Sequence, residues 1–221
     1  MIDTKYVTQD KRVFFDIAKE LIKPGDKVLD IGAGDGTFAK HCGRDDFYLY
    51  DGNANSIDVL KKEFPYTYYG RLPDLPFQDG FFDVIHCSHV VEHLEPELFY
   101  NTLKEIDRCL KENGYLVVSA PLLWDRFYDD LSHVKPYTPF VFKKYLGVEI
   151  LPTLSRPLIS KYYKDISVQY RYREIPLLDN FYNLGENFIV KLVFKIFNLL
   201  QRLGFRKYIK TGFTLVFQKK N

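Results

Sequence analysis

Between Lys11 and Ile22 the apolar positions are Val13, Phe14, Ile17, Ala18, Leu21 and Ile22, which is the spacing of one helix face. Pro24-Gly25 ends that pattern. A short apolar run, Lys27 to Ile31, leads into glycines at 32, 34 and 36, and a helix is predicted from Asp35 to Cys42. The alternation repeats: Phe47–Tyr50 reads as strand, Ser56–Phe64 as helix, Tyr66–Tyr69 and Phe82–Cys87 as strands. Pro96–Leu110 reads as a helix with Pro in its first turn and Gly114 beyond its end, and Tyr115–Ser119 as the fifth strand. Near-continuous apolar strands alternating with helices predict a doubly wound, mostly parallel α/β sheet covered on both faces.

After the fifth strand the texture changes. Pro121–Tyr137 is a long polar and aromatic loop, Thr138–Leu146 a helix, and a strand is expected from Val148. The stretch from Arg156 to Lys210 carries Pro157, Pro176, many tyrosines and a helical segment, Asn187–Leu203, before a final strand Thr211–Gln218. The expectation is one domain over residues 1–221, with 156–210 inserted before the last strand.

Composition narrows the class. The 221 residues are 46% hydrophobic and 17% aromatic, enough for a sizeable core. The net charge of +2 is too small to mark a dedicated nucleic-acid or membrane protein. Cys42, Cys87 and Cys109 are scattered and form no C-x-x-C, so neither a disulfide framework nor a zinc ribbon is indicated. With a charged Met1–Arg12 that lacks a secretory apolar stretch, the expected location is the cytoplasm.

The chemistry starts at Val28-Leu29-Asp30-Ile31-Gly32-Ala33-Gly34-Asp35-Gly36, a strand entering a glycine turn. Glycine lets backbone approach a ligand, and in doubly wound sheets ligands sit outside the strands' carboxyl ends. A dinucleotide fingerprint starting at Gly32 needs glycine at 37, where Thr37 stands, and no Gly-Lys-Ser/Thr follows to make a phosphate loop. Asp51, ending the second strand, is a carboxylate placed to accept hydrogen bonds from two ribose hydroxyls.

Asp30 to Gly36 resembles motif I of class I S-adenosylmethionine-dependent methyltransferases. Asp74-Leu75-Pro76-Phe77-Gln78-Asp79-Gly80-Phe81-Phe82-Asp83-Val84-Ile85, followed by His89-Val90-Val91-Glu92-His93-Leu94, resembles the methyltransferase type 11 group in particular. The resemblance covers Phe14 to Gly147 and the last strand. It implies the seven-stranded Rossmann-like methyltransferase fold and S-adenosyl-L-methionine as cofactor, with S-adenosyl-L-homocysteine as product. It also implies that Asp30, Gly32, Ala33 and Gly34 face the methionine part, that Asp51 and Gly52 face ribose and adenine, and that Leu72, Ser88 and His89 close the pocket. The chain departs from the family pattern at Arg71, where an acid near adenine is frequent, and at His89, where relatives carry a carboxylate.

His89, Glu92 and His93 stand at i, i+3 and i+4, so a helical turn after the fourth strand puts them on one face. His133 lies in the loop after the neighbouring fifth strand and emerges at the same edge. One reading makes His93 or His133 a general base toward a hydroxyl acceptor. Another has the imidazoles and the carboxylate bind a divalent metal. A third has His93 and His133 serve packing and loop hydrogen bonds alone. The small-RNA 2′-O-methyltransferases have a similar Glu-x-x-Glu-His with a distant His, and the resemblance extends to Ser132-His133 ahead of Tyr137-Thr138-Pro139-Phe140.

Some acceptors are disfavoured. No Asp or Asn followed by Pro-Pro-aromatic succeeds the fourth strand, which by resemblance argues against methylation of exocyclic base amines. No Pro-Cys dipeptide occurs, against a cysteine-based attack on a pyrimidine ring. The expected acceptor is the oxygen of a small-molecule, glycan or lipid-linked compound; the alternatives are RNA 2′-O-methylation with a divalent metal and a cofactor-binding partner protein without catalysis. From Glu186 to Lys210 six basic residues face one acid, Glu186, around an apolar helical face. That segment suits an anionic membrane surface, or covers the sheet or a second subunit. The aromatic and basic runs Lys161–Lys164 and Tyr170–Arg173 suit stacking of single-stranded RNA or sugars, or one face of a sheet.

Overall fold

Strand and helix alternate through the first half of the chain as the pattern requires. In the computed structural model, which describes residues 2–149, 154–177 and 188–221, the elements are α1 (Arg12–Lys19), β1 (Val28–Ile31), α2 (Thr37–Cys42), β2 (Tyr48–Asp51), α3 (Ala54–Leu60) and β3 (Thr67–Tyr69). There follow β4 (Phe82–Ser88), α4 (Pro96–Cys109), β5 (Leu110–Pro121), α5 (Pro139–Tyr145), β6 (Tyr163–Ile175), α6 (Phe188–Arg202) and β7 (Lys207–Lys219). Seven strands form one sheet in the order β3-β2-β1-β4-β5-β7-β6. The pairs among β1 to β5 are parallel, and β7 runs antiparallel to both β5 and β6. Since β1 lies between β2 and β4, the strand order reverses beside it, and the carboxyl ends there open the crevice where doubly wound folds bind ligands.

The strands alternate between two cores. Leu29, Ile85, Leu116 and Leu215 pack with Phe99, Leu103 and Ile106 of α4 and Phe142 of α5. Their sequence neighbours Val28, Val84, Val117 and Val216 pack on the opposite face with Phe15 and Ala18 of α1 and Phe38 of α2. Each such apolar side chain contributes about 1.5–3 kcal/mol by leaving water, so both helical layers are held by the same strands.

Two expectations need correcting. The strand expected from Val148 does not begin there: Gly147, at φ +70°, ends α5 in a turn in which the Val148 N–H donates to the Lys143 carbonyl at 3.0 Å, and among the described residues neither Val148 nor Glu149 is in a strand. The sixth strand lies later, at Tyr163–Ile175, inside the stretch read as an insertion, so part of 156–210 belongs to the sheet. The Tyr170–Arg173 run therefore follows strand alternation along β6, paired with β7. The predicted start of the last helix, Asn187, lies outside the described residues, and α6 is described from Phe188. On α6, Leu192, Ile196, Leu199 and, just beyond it, Leu203 are exposed and fall on one helical stripe.

No helix among the described residues is long and apolar enough to cross a membrane.

Candidate active site

The glycine turn after β1 is shaped by β2 and by the loop after β4. The N–H groups of Gly32 and Ala33 both donate to the Tyr50 carbonyl, at 2.8 and 3.2 Å. Gly32 has φ +71°, and a Cβ there would be driven into the Val90 side chain. Only glycine meets both conditions, the left-handed backbone and the close approach. The Gly34 N–H donates to Asp51 Oδ2 at 2.9 Å, and the Asn53 N–H to Asp51 Oδ1 at 2.7 Å. Asp51 thus fixes the turn with one lone pair of each oxygen and keeps the others for two further donors.

Two cavities meet at Gly32. One, of about 520 Å³, is lined by Asp30, Gly32, Ala33, Gly34, His86 and Ser88 together with Lys11 and Arg12. The other, of about 470 Å³, is lined by Asp51, Gly52, Arg71, Leu72, His89 and His93. Every residue assigned to the cofactor from sequence therefore lines one cavity or the other. Asp30 is committed elsewhere as well: its Oδ1 lies 2.7 Å from His86 Nδ1, both side chains are buried, and His86 stacks on Phe38 at 3.8 Å. Lys11 and Arg12 were missed in the sequence. They stand ahead of and within the first turn of α1, where nothing local distinguishes them from solvated charge, and only the tertiary fold brings them over the glycine turn.

Beside the second cavity the chain does not form the helical turn that would put His89, Glu92 and His93 on one face. His89 adopts a left-handed backbone, φ +56°, with its N–H on the Ser119 carbonyl at 2.9 Å, and a single 3₁₀ turn spans Val91–His93. The His89 ring points away from His93. Its Nδ1 lies 3.1 Å from Glu92 Oε1 and its Nε2 lies 3.5 Å from Arg171 Nη1. Since a carboxylate only accepts, Nδ1 carries the hydrogen and Nε2 offers its lone pair to the guanidinium. Burial lowers the His89 pKa and keeps the ring neutral.

His133 replaces His89 in the cluster. The N–H groups of Val134 and Lys135 donate to the Glu92 carbonyl at 2.8 and 3.1 Å, lashing the loop after β5 to the 3₁₀ turn. The Tyr137 hydroxyl donates to the Leu94 carbonyl at 2.9 Å while its ring stacks on Phe99. Glu92, His93 and His133 consequently present one ligand atom each, all within 4.8 Å of one another. His93 Nδ1 lies 3.0 Å from the Ser132 carbonyl and His133 Nδ1 lies 2.6 Å from the Phe127 carbonyl. These are the loop hydrogen bonds of the packing reading, and they have a chemical consequence. A carbonyl can only accept, so both Nδ1 atoms carry hydrogen and both Nε2 atoms are left as bases. Glu92 is buried, and its Oε2 has no hydrogen-bond partner. A free carboxylate oxygen beside two imidazoles anchored through Nδ1 can take a proton or hold a divalent cation.

A methyltransferase-domain family model matches residues 6–157. The chain belongs to that family, and its seven-stranded sheet is the fold of class I methyltransferases, whose methyl donor is S-adenosylmethionine. Among solved structures, it is similar to a SAM-dependent methyltransferase from Archaeoglobus fulgidus, at 22% identity and TM-score 0.63 over 94% of this chain and 92% of that one. The YcgJ protein from Bacillus subtilis has TM-score 0.61 at 16% identity, over 94% and 97%. An uncharacterised methyltransferase of Synechocystis is 29% identical over 97 residues, which span 42% of this chain and 46% of that relative's length.

Proposed function

We propose that this protein transfers the methyl group of S-adenosylmethionine to a hydroxyl oxygen of a small-molecule, glycan or lipid-linked acceptor beside Glu92, His93 and His133. The observation that carries the reading is a pair of imidazoles, each anchored through Nδ1 to a backbone carbonyl, clustered within 4.8 Å with Glu92, a buried acid whose Oε2 has no hydrogen-bond partner among the described residues. The glycine turn fits the donor, since Gly32 and Gly34 leave backbone without side chains where a methionine portion would lie. Asp51 and Gly52 suit the ribose, Leu72 the adenine side, and Lys11 or Arg12 the methionine carboxylate. When bound, the sulfonium supplies an activated methyl group; the protein's part is to place the acceptor oxygen in line with it and to remove the hydroxyl proton. Nε2 of His133 or His93 would take up that proton, and with S-adenosylmethionine bound the products would be S-adenosylhomocysteine and the methyl ether.

A second reading, in which Glu92, His93 and His133 hold a divalent cation that polarises the hydroxyl, is favoured by the same anchored imidazoles, because metal-bound histidines usually donate their other N–H to a carbonyl. It would suit the 2′-hydroxyl of RNA as well as a small acceptor. The exposed apolar stripe of α6 supports a membrane-surface role for that helix and, with it, a lipid-linked acceptor.

The deciding experiment is transfer of labelled methyl from S-adenosylmethionine into separated lipid, glycan, RNA, protein and small-molecule fractions, with and without a chelator. Alkali-stable label in a lipid, glycan or small-molecule fraction, lost in His133→Ala, is the expected result, and loss of label on chelation selects the metal. Label confined to RNA selects the 2′-hydroxyl. Label in none, with S-adenosylhomocysteine still bound, overturns the catalytic reading in favour of a cofactor-binding partner protein.

A further inference from the structure

Arg171 sits on β6 with the energetics of an unfinished ion pair. Its side chain is largely buried, its Nε is shielded from solvent, and among the described residues that Nε has no hydrogen-bond partner and the side chain's one hydrogen-bonding contact is His89 Nε2 at 3.5 Å. Removing a guanidinium from water without a hydrogen-bonded anion is expensive. The fold nevertheless arranges for it twice. The β6–β7 register shifts at this point: Arg171 pairs with Gly212 and Tyr172 with Lys210, which leaves Thr211 as the extra residue of a bulge on β7, a device common near active sites. Next to it on β7 stands Gly212, where a Cβ would lie 2.8 Å from Arg171 Nη2 and 3.0 Å from the Ala120 carbonyl. A bulge and a glycine side by side on β7 thus make room for a charged group that has no anionic hydrogen-bond partner among the described residues.

The guanidinium lines a small cavity of about 10 Å³ together with Lys11, Ser88, His89, Ser119 and Thr214. The polar lining is rich in donors and contains no carboxylate. Its size admits one water-sized group, such as one end of a planar carboxylate, and is too small for a phosphate. Through Lys11 and Ser88 the cavity adjoins the one over the glycine turn, and through His89 the one that holds His93. Glu92, the acid whose charge Arg171 feels, is engaged on Oε1 by His89 and clusters with His93 and His133.

We infer that Arg171 is the anchor of a carboxylate subsite, and that the methyl acceptor carries a carboxylate in addition to the hydroxyl it presents to the histidines. The planar guanidinium fork matches a carboxylate, and Ser88 and the mutually bonded Ser119–Thr214 hydroxyl pair, 2.7 Å apart, belong to the same lining. His89 lines both this cavity and the one that holds His93, so a hydroxy acid anchored at Arg171 would reach the histidines past that ring. The inference rests on the O-methylation reading for the identity of the ligand, but the subsite itself is measurable without turnover.

The test is calorimetric titration of the full chain, saturated with S-adenosylhomocysteine, with acetate, glycolate and benzoate, and with acetamide and benzamide as neutral controls. Saturable binding of at least one carboxylate, with its amide at least tenfold weaker, is expected. Arg171→Met should reduce that affinity at least tenfold, and Arg171→Lys, which keeps the charge and loses the fork, by less. A second titration separates the acceptor from the cofactor: S-adenosylhomocysteine carries a carboxylate and 5′-methylthioadenosine does not. Equal affinity of wild type and Arg171→Met for both nucleosides is expected and shows that the variant is folded. Selective weakening of S-adenosylhomocysteine would assign Arg171 to the cofactor's own carboxylate and overturn the proposal, as would carboxylates binding no better than amides. Carboxylate binding through Arg171 in a protein that methylates no hydroxyl would leave the subsite standing and sink the O-methylation reading instead.

Discussion

On the two sides of Val90 the crevice is built by opposite rules. Around the glycine turn the polar groups are paired within the protein: Asp51 accepts two backbone N–H groups, the Tyr50 carbonyl accepts two more, and Asp30 meets His86. On the far side, Glu92 Oε2 and Arg171 Nε are buried without hydrogen-bond partners among the described residues, and the Nε2 atoms of His93 and His133 make no hydrogen bond there, the Asp130 carboxylate standing 3.8 Å from that of His133. The first arrangement yields a rigid surface whose shape does the recognising. The second leaves charge and lone pairs uncompensated, and such groups are stable only when packing holds them and a ligand completes them. On the function proposed above, a donor common to a whole class of enzymes would be met by the paired side, and the acceptor particular to this chain by the unpaired one.

The sharpest way to break the comparison is to remove a base from the unpaired side. His133→Ala should lower turnover by about 10²-fold or more, the ordinary contribution of a positioned proton acceptor, while S-adenosylhomocysteine affinity by calorimetry stays within about twofold. A variant that turns over like wild type would reduce His133 to its Phe127 hydrogen bond. On the paired side the response should be the reverse. Asp51→Ala removes a carboxylate that fixes the turn and faces the nucleoside cavity, and should weaken S-adenosylhomocysteine by about 1.5–3 kcal/mol through lost charge-assisted hydrogen bonds. Unchanged affinity would mean that Asp51 serves the loop alone.

The same division explains what could be read in the sequence. The paired side is largely local: strand, glycine turn and carboxylate lie within Val28–Asp51, so their spacing carries the resemblance, and the cofactor residues that the resemblance implies all line the two cavities. Strands β1 and β4 were equally legible, because burial on both faces leaves continuous apolar runs. The unpaired side is assembled from distant segments. His93 and His133 were legible as candidates, but the exclusion of His89 depends on its left-handed backbone, which no spacing encodes. Arg171 was legible only as a member of the aromatic and basic run Tyr170-Arg171-Tyr172-Arg173, suited to stacking a base or a sugar or to one face of a sheet, and nothing in that alternation marks it as the buried charge. Strand β6 was placed too early because α5 ends in an apolar Leu146 and Val148 around Gly147, and it is the turn at that glycine that stops the chain from extending.

Gly212 offers a test of the unpaired side that leaves its charges in place. A methyl group in Gly212→Ala must displace the Arg171 guanidinium, and the strain should cost about 1–3 kcal/mol of stability, as overpacking does, measured by urea unfolding. Carboxylate affinity should fall alongside it, with S-adenosylhomocysteine binding retained. Full carboxylate affinity in this variant would show that the slot between β6 and β7 has no bearing on recognition.

The smallest expected effect probes the paired side from beneath. Arg108 of α4 donates to both oxygens of Glu105 at 3.0 and 2.7 Å and to the Phe77 and Leu75 carbonyls at 2.7 and 3.0 Å, tying down the loop that follows Leu72. The hydrogen bonds from Arg108 hold the Glu105 carboxyl below its ordinary value of 4.5. A depressed carboxylate contributes stability that is fully present above the unfolded-state pKa and is lost as pH falls through the folded one, because the unfolded chain takes up the proton first. Glu105 is partly exposed, so solvent screening holds its contribution below about 1 kcal/mol. Thermal unfolding from pH 7 to pH 3 should therefore show wild type losing its advantage over Glu105→Gln as the pH falls below about 4.5, with the two curves converging at the acid end. Parallel curves across that range would mean that the Arg108 clamp holds the loop through the Phe77 and Leu75 carbonyls and Asp79, 2.7 Å from Nη1, with the Glu105 carboxylate adding nothing.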